Sequence, residues 1–169
     1  SEKAFSKSLE LYRESNTEYE IANCLNYLSI LKLYKGEIEV GKKLQEECLA
    51  IRLKSADRRG IAASLNSLGL YAYKQKEMKT SLKYLTESLE LYRSLNDLRS
   101  IAANLGNLGR ININLGNLEK AGSELCESLQ ISKDLGDKYM TAHTLESTAL
   151  IFRKKGDIRN TVKLFSLSS

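Results

Sequence analysis

The stretch "GEIEVGKK", Gly36 to Lys43, comes nearest in this chain to a chemical motif. It almost spells a phosphate-binding loop, in which two glycines separated by four residues precede Lys and then Ser or Thr. Such a loop follows a strand, and its hydroxyl holds magnesium. Here Lys43 stands where the hydroxyl is required, so the pattern fails at the residue that would bind the metal. "GNLG", Gly106 to Gly109, has the outline of a loop that clamps nucleic acid. Yet Leu105, Leu108, Ile111 and Leu115 recur around it at helix spacing, which makes it the middle of a helix.

Other reactive side chains are sparse. His143 is the single histidine, and no spacing pairs it with a nucleophilic Ser or Cys, so it reads as a helix-surface residue. Cys24, Cys48 and Cys126 are odd in number and lack metal-ligand spacing. Neither a disulfide framework nor a zinc site is expected. The carboxylates are scattered at helical spacing. No catalytic set and no cofactor site emerges, and the chain reads as a non-enzymatic, cytoplasmic protein.

Composition agrees. A length of 169 residues with 42% hydrophobic content suits one domain or a few stacked repeats, and the absence of proline points to helices. No run of eighteen apolar residues occurs, so no membrane helix is expected. The net charge of +5 permits an anionic partner without requiring one. The start, "SEKAFSKSLELYRES", lacks both Met and a signal-like apolar core, and reads as a processed or excised fragment.

What must position any functional residue is an internal repeat. "IANCLNYLSI" from Ile21, "IAASLNSLGL" from Ile61, "IAANLGNLGR" from Ile101 and "TAHTLESTAL" from Thr141 begin 40 residues apart. "SLELYRESNT" from Ser8, "CLAIRLKSAD" from Cys48, "SLELYRSLND" from Ser88 and "SLQISKDLGD" from Ser128 keep the same register. Each unit is two helices, A then B. Thr17, Asp57, Asp97 and Asp137 are placed to cap the A helices, and Gly36, Gly116 and Gly156 to end them. Lys76 holds that glycine position in the second unit, a strained choice or a different turn. Small residues recur at Ser29, Gly69, Gly109 and Ala149 in helix A. In helix B they recur at Gly41, Ser81, Ala121 and Thr161, and at Cys48, Ser88, Ser128 and Ser168. They predict close approach of neighbouring backbones.

Leu-Gly in helix A followed by two small helix-B residues resembles the tetratricopeptide-repeat pattern. "NLG" at Asn107–Gly109 with Ala121 and Ser128 carries it, as does "SLG" at Ser67–Gly69 with Ser81 and Ser88. The family's early helix-A aromatic is Leu here, its closing proline is missing, and the spacing exceeds the usual ~34 residues. The longer form is similar to Leu-Gly-Asn repeat scaffolds and to sensor arrays of bacterial regulatory ATPases and nucleotide cyclases. HEAT repeats are of similar length but lack the small-residue pattern. The resemblance implies an all-α fold, a right-handed α-solenoid of antiparallel helix pairs. Its layout would be a leading helix B at 1–16, complete repeats at 17–56, 57–96 and 97–136, and a truncated repeat at 137–169. Uncapped ends would favour end-to-end self-association.

The resemblance also implies a concave groove lined by the A helices. Carried over position by position, it includes Asn23, Asn26, Tyr27, Asn66, Tyr73, Lys74, Asn107, Arg110, Asn114, His143, Arg153 and Lys154. Asn amides suit a peptide main chain, and Arg and Lys suit acidic side chains. Gly106 has no counterpart in the register and is expected to leave ligand space there. The family's carboxylate clamp needs Lys, Asn and Arg at set positions that here hold Asn, Ala or Gly more often than Lys. The expected function is protein or peptide binding within a larger scaffold or signalling regulator. The alternative is nucleic-acid binding through a basic A–B turn edge. That edge comprises Lys32, Lys35, Lys42 and Lys43, then Lys74, Lys76, Lys79 and Lys83, then Arg153, Lys154, Lys155 and Arg159.

Overall fold

The computed structural model describes residues 2–15 and 17–156, and every regular element among them is an α-helix. In chain order these are α1 (Glu2–Glu14), α2 (Glu18–Lys35), α3 (Ile38–Lys54), α4 (Arg58–Lys74), α5 (Met78–Ser94), α6 (Leu98–Leu115), α7 (Leu118–Asp134) and α8 (Lys138–Lys154). The all-α helical-repeat fold expected from the sequence is the fold the chain has. Thr161, Ser168 and Arg159, read above into the last helix B and the basic edge, lie outside the described residues.

Local chemistry sets the helix boundaries. Asp57, Asp97 and Asp137 accept hydrogen bonds from the N–H groups of Gly60 (2.9 Å), Ser100 (3.2 Å) and Met140 (3.0 Å). Each bond satisfies a donor that a helix start leaves without a partner. Thr17 does not do this for α2. Its hydroxyl lies 3.1 Å from that of Ser15, a local partner that competes with capping.

Gly36 and Gly116 close α2 and α6 with φ of 77° and 81°, and the next N–H returns to Lys32 O (3.0 Å) or Asn112 O (2.9 Å). Gly156 has φ 75° after α8. Lys76 adopts the same left-handed geometry with φ 64°, and Glu77 N–H bonds Ala72 O at 2.9 Å. The sequence left two options at Lys76, and the strained one is realised, at a cost of about 1 kcal/mol.

The helices gather into two compact units, Ser1–Leu91 and Tyr92–Ser169. In the first, Leu9 of α1, Ile21, Leu25 and Leu28 of α2 and Cys48 of α3 form a core, with Phe5, Leu44 and Ile51 against it. In the second, Ile113 of α6, Ala121 and Leu125 of α7 and Ile151 of α8 do so.

The recurring small residues work more specifically than backbone approach alone. A Cβ at Gly69 would lie 2.7 Å from Leu85 Cγ, and one at Gly109 would lie 2.7 Å from Leu125 Cγ. Each glycine is thus a socket for a leucine of the following helix. Gly41 makes room for the Tyr71 phenol, whose oxygen would lie 2.0 Å from a Cβ. The last small position adds a hydrogen bond. Cys48 Sγ, Ser88 Oγ and Ser128 Oγ donate to the carbonyls of Ala22 (3.1 Å), Ala62 (2.7 Å) and Ala102 (2.8 Å). That site selects a small donor, and helix B is tied to helix A in each pair.

Candidate binding faces

The twelve candidate residues fall six in each unit. In the first, α2 carries Asn23, Asn26 and Tyr27, and α4 carries Asn66, Tyr73 and Lys74. Tyr27 and Lys74 are exposed and the other four half-buried. The Tyr27 ring stacks on Phe5 of α1, with centroids 5.1 Å apart and planes at 22°, which restricts its motion. Asn26 Oδ1 is shielded from solvent without a hydrogen-bond partner.

Asn23 meets a residue that sequence reasoning missed. Arg52, at the end of α3, is 6% exposed. Its Nη1 donates to Gly60 O (3.0 Å) and Ser64 Oγ (2.9 Å), and its Nη2 to Asn23 Oδ1 (3.4 Å). Asp57 Oδ2 lies 3.9 Å from its Nε. Guanidinium donates only, so the Asn23 amide turns its oxygen towards Arg52 and its NH2 away. In the sequence Arg52 looks like any cation favoured near a helix C-terminus. The signal was Gly60, which replaces Glu20, Ser100 and Met140 of the register. A Cβ there would sit 2.7 Å from Arg52 Cδ and 2.0 Å from Asp57 Oδ2.

In the second unit α6 carries Asn107, Arg110 and Asn114, and α8 carries His143, Arg153 and Lys154. Lys154 Nζ donates to Ile113 O at 2.7 Å, fixing the end of α8 to the end of α6. Arg110 Nη2 donates to Asn107 Oδ1 at 3.2 Å. His143 is half-buried rather than on the open surface. Burial pushes its pKa down, the Arg110 charge pushes the same way, and Glu146 opposes both. Asn114, Arg153 and Lys154 are exposed. Gly106 departs from expectation: it is buried, and a Cβ there would contact Ser128 Oγ at 3.8 Å. Among the described residues, Ser128 of α7 is the only neighbour a Cβ at Gly106 would meet within 4 Å, at an ordinary contact distance.

Between α6 and α7, buried Asn112 donates from Nδ2 to Glu124 Oε2 at 2.8 Å. Burial raises the Glu124 pKa, outweighing Asn112 and Lys120, which lower it. A carboxyl raised in the fold contributes stability below the ordinary carboxylate range and loses it as pH rises through the folded pKa. Glu124→Gln keeps an acceptor for Asn112, and it is expected to raise the thermal midpoint at pH 7. The gain should vanish below about pH 4, which melting curves at the two pH values would check.

The two buried thiols are quiet, and Cys126 is exposed. Burial raises the thiol pKa values of Cys24 and Cys48, which holds them as protonated, inert packing groups. No helix among the described residues is long and apolar enough to cross a membrane.

Comparison with known proteins completes the picture. A tetratricopeptide-repeat family model matches residues 61–99. No curated protein matches the sequence. A Rap protein solved with competence and sporulation factor is similar in fold, with a TM-score of 0.86 at 15% identity over 98% of this chain and 46% of that one. The Rap conjugation gene regulator of plasmid pLS20, solved with a Phr peptide, gives 0.78 at 15% identity over 99% and 55%. The TPR-like repeats of a putative Podosopora anserina kinesin light chain give 0.75 at 13% identity over 99% and 82%. The chain thus spans about half the length of each Rap protein. The family match falls within one stretch of the forty-residue register, residues 61–99, and the paired-helix fold of the whole chain is similar to tetratricopeptide-like repeat structures.

Proposed function

We propose that the chain is a non-catalytic peptide- or protein-binding module of a larger cytoplasmic scaffold or signalling regulator. In this reading residues 1–16 close a preceding repeat, 17–56, 57–96 and 97–136 are complete repeats, and 137–169 begin another. The partner docks on the A-helix faces, as an extended segment or a helix, with little rearrangement. The observation that carries this reading is the placement of donor-bearing side chains on adjoining A helices. In the second unit Arg110, Asn107 and Lys154 lie along α6 and α8, which are bonded together at Ile113. In the first unit Asn23 turns its NH2 away from Arg52. Such faces suit main-chain carbonyls and carboxylates of an acidic peptide. The peptide in the pLS20 Rap regulator structure supports the same class of ligand here.

The test replaces Asn66, Asn107 and Arg110 together by alanine and compares pull-down of partners by the two chains. Capture should fall at least about tenfold while far-UV circular dichroism stays unchanged. Undiminished capture by a helical triple variant would place the partner on another surface.

A further inference from the structure

The α4–α5 turn differs electrostatically from the α2–α3 turn. At the latter, Lys32 bonds Glu37 (2.6 Å) and Glu2 (2.7 Å), and Lys35 also bonds Glu2. Lys32 and Lys35 are neutralised from within, while Lys42 bonds Gln75 and exposed Lys43 forms no ion pair among the described residues. At the former, Lys74, Lys76, Lys79 and Lys83 are all exposed, and none makes a side-chain hydrogen bond or ion pair among the described residues. Glu77 makes none either, and Glu39 accepts from Gln75 Nε2 at 2.6 Å.

Helix electrostatics accounts for Lys74 alone, which sits at the negative end of α4. Lys76 holds a left-handed position, φ 64°, where Gly36, Gly116 and Gly156 stand at the equivalent turns. Lys79 lies in the first turn of α5, which holds no acidic residue, so it opposes the helix dipole. Lys79 and Lys83 are four apart on one helix face, where like charges repel. Lys76 and Lys79 therefore work against local stability, and neither they nor Lys83 forms an ion pair among the described residues.

We infer that the α4–α5 turn is a second docking surface, in which Lys76, Lys79 and Lys83 receive an acidic segment of a protein partner. Carboxylates fit better than a nucleic-acid strand. The cations are all lysines, compact charges on flexible stems that follow scattered carboxylates. No large apolar side chain between Leu53 and Leu95 is exposed for bases to stack on. Glu77 also interrupts the row, which a continuous phosphate backbone would meet and scattered carboxylates can avoid.

The test exploits the conflict between charge and stability. A labelled decaglutamate peptide is titrated with the full chain by fluorescence anisotropy at about 20 mM and about 150 mM salt. Lys76→Gly with Lys79→Glu should weaken binding at low salt at least about tenfold and leave the thermal midpoint unchanged or raised. Lys3→Gln with Lys7→Glu, the same charge change on α1, should bind as the parent does. The inference is overturned if the turn variant binds undiminished or if the α1 variant loses as much. It is equally overturned if a thymidine oligonucleotide of equal length binds more tightly than the peptide.

Discussion

Arg52→Ala is expected to destabilise the first unit by about 3 kcal/mol, from three lost charge-assisted hydrogen bonds, the one to Asn23 long, and the space left behind. The guanidinium joins three helices: it belongs to α3, donates to Gly60 and Ser64 of α4, and faces Asn23 of α2. Its carboxylate neighbour, Asp57, is 3.9 Å away and partly exposed, so removing Arg52 does not strand a buried negative charge. Arg52→Met keeps most of the stem volume and loses only the donors, and about half the loss should remain. Denaturant unfolding of both variants separates packing from hydrogen bonding. A loss for Arg52→Ala within about 0.5 kcal/mol would mean that desolvating the guanidinium cancels its bonds.

Gln45→Met is expected to stabilise the same unit by about 2 kcal/mol. Gln45 is fully buried, and neither its Oε1 nor its Nε2 has a hydrogen-bond partner. Leu85 and Leu125 hold the equivalent positions and drop into the Gly69 and Gly109 sockets. Opposite Gln45 the socket residue is Ser29, whose hydroxyl lies 3.0 Å from that of Tyr71. A leucine branches at Cγ, where the Gly69 geometry leaves only 2.7 Å to a Cβ, so Gln45→Leu should gain less than unbranched Met. Adding Ser29→Gly to Gln45→Leu should recover the difference, which a double-mutant cycle would read as coupling. A destabilised Gln45→Met would instead indicate a water held by the amide.

These two sites mark where sequence reading stopped. Spacing exposed the Ser29, Gly69 and Gly109 series but not its partners, Gln45, Leu85 and Leu125. Nothing in one dimension paired them, because the pairing runs across two helices. Arg52 was hidden for the opposite reason: its position near a helix end has a sufficient local explanation. The binding faces were read from register and resemblance. The structure places six of those residues in each unit, but Asn23, Asn107 and Lys154 are engaged within the chain, and Gly106 is buried.

The repeat, its forty-residue register, most of the helix ends and the paired-helix fold are legible in the chain alone. Those features depend on local backbone preferences and on apolar periodicity, which every copy states again. Which side chains fill the glycine sockets, and which cations are neutralised, follows only from contacts between helices. Lys32 and Lys35 meet Glu2, thirty or more residues away, whereas Lys76, Lys79 and Lys83 form no ion pair among the described residues. Neutralisation depends on distance in space, and a sequence orders charges along the chain only.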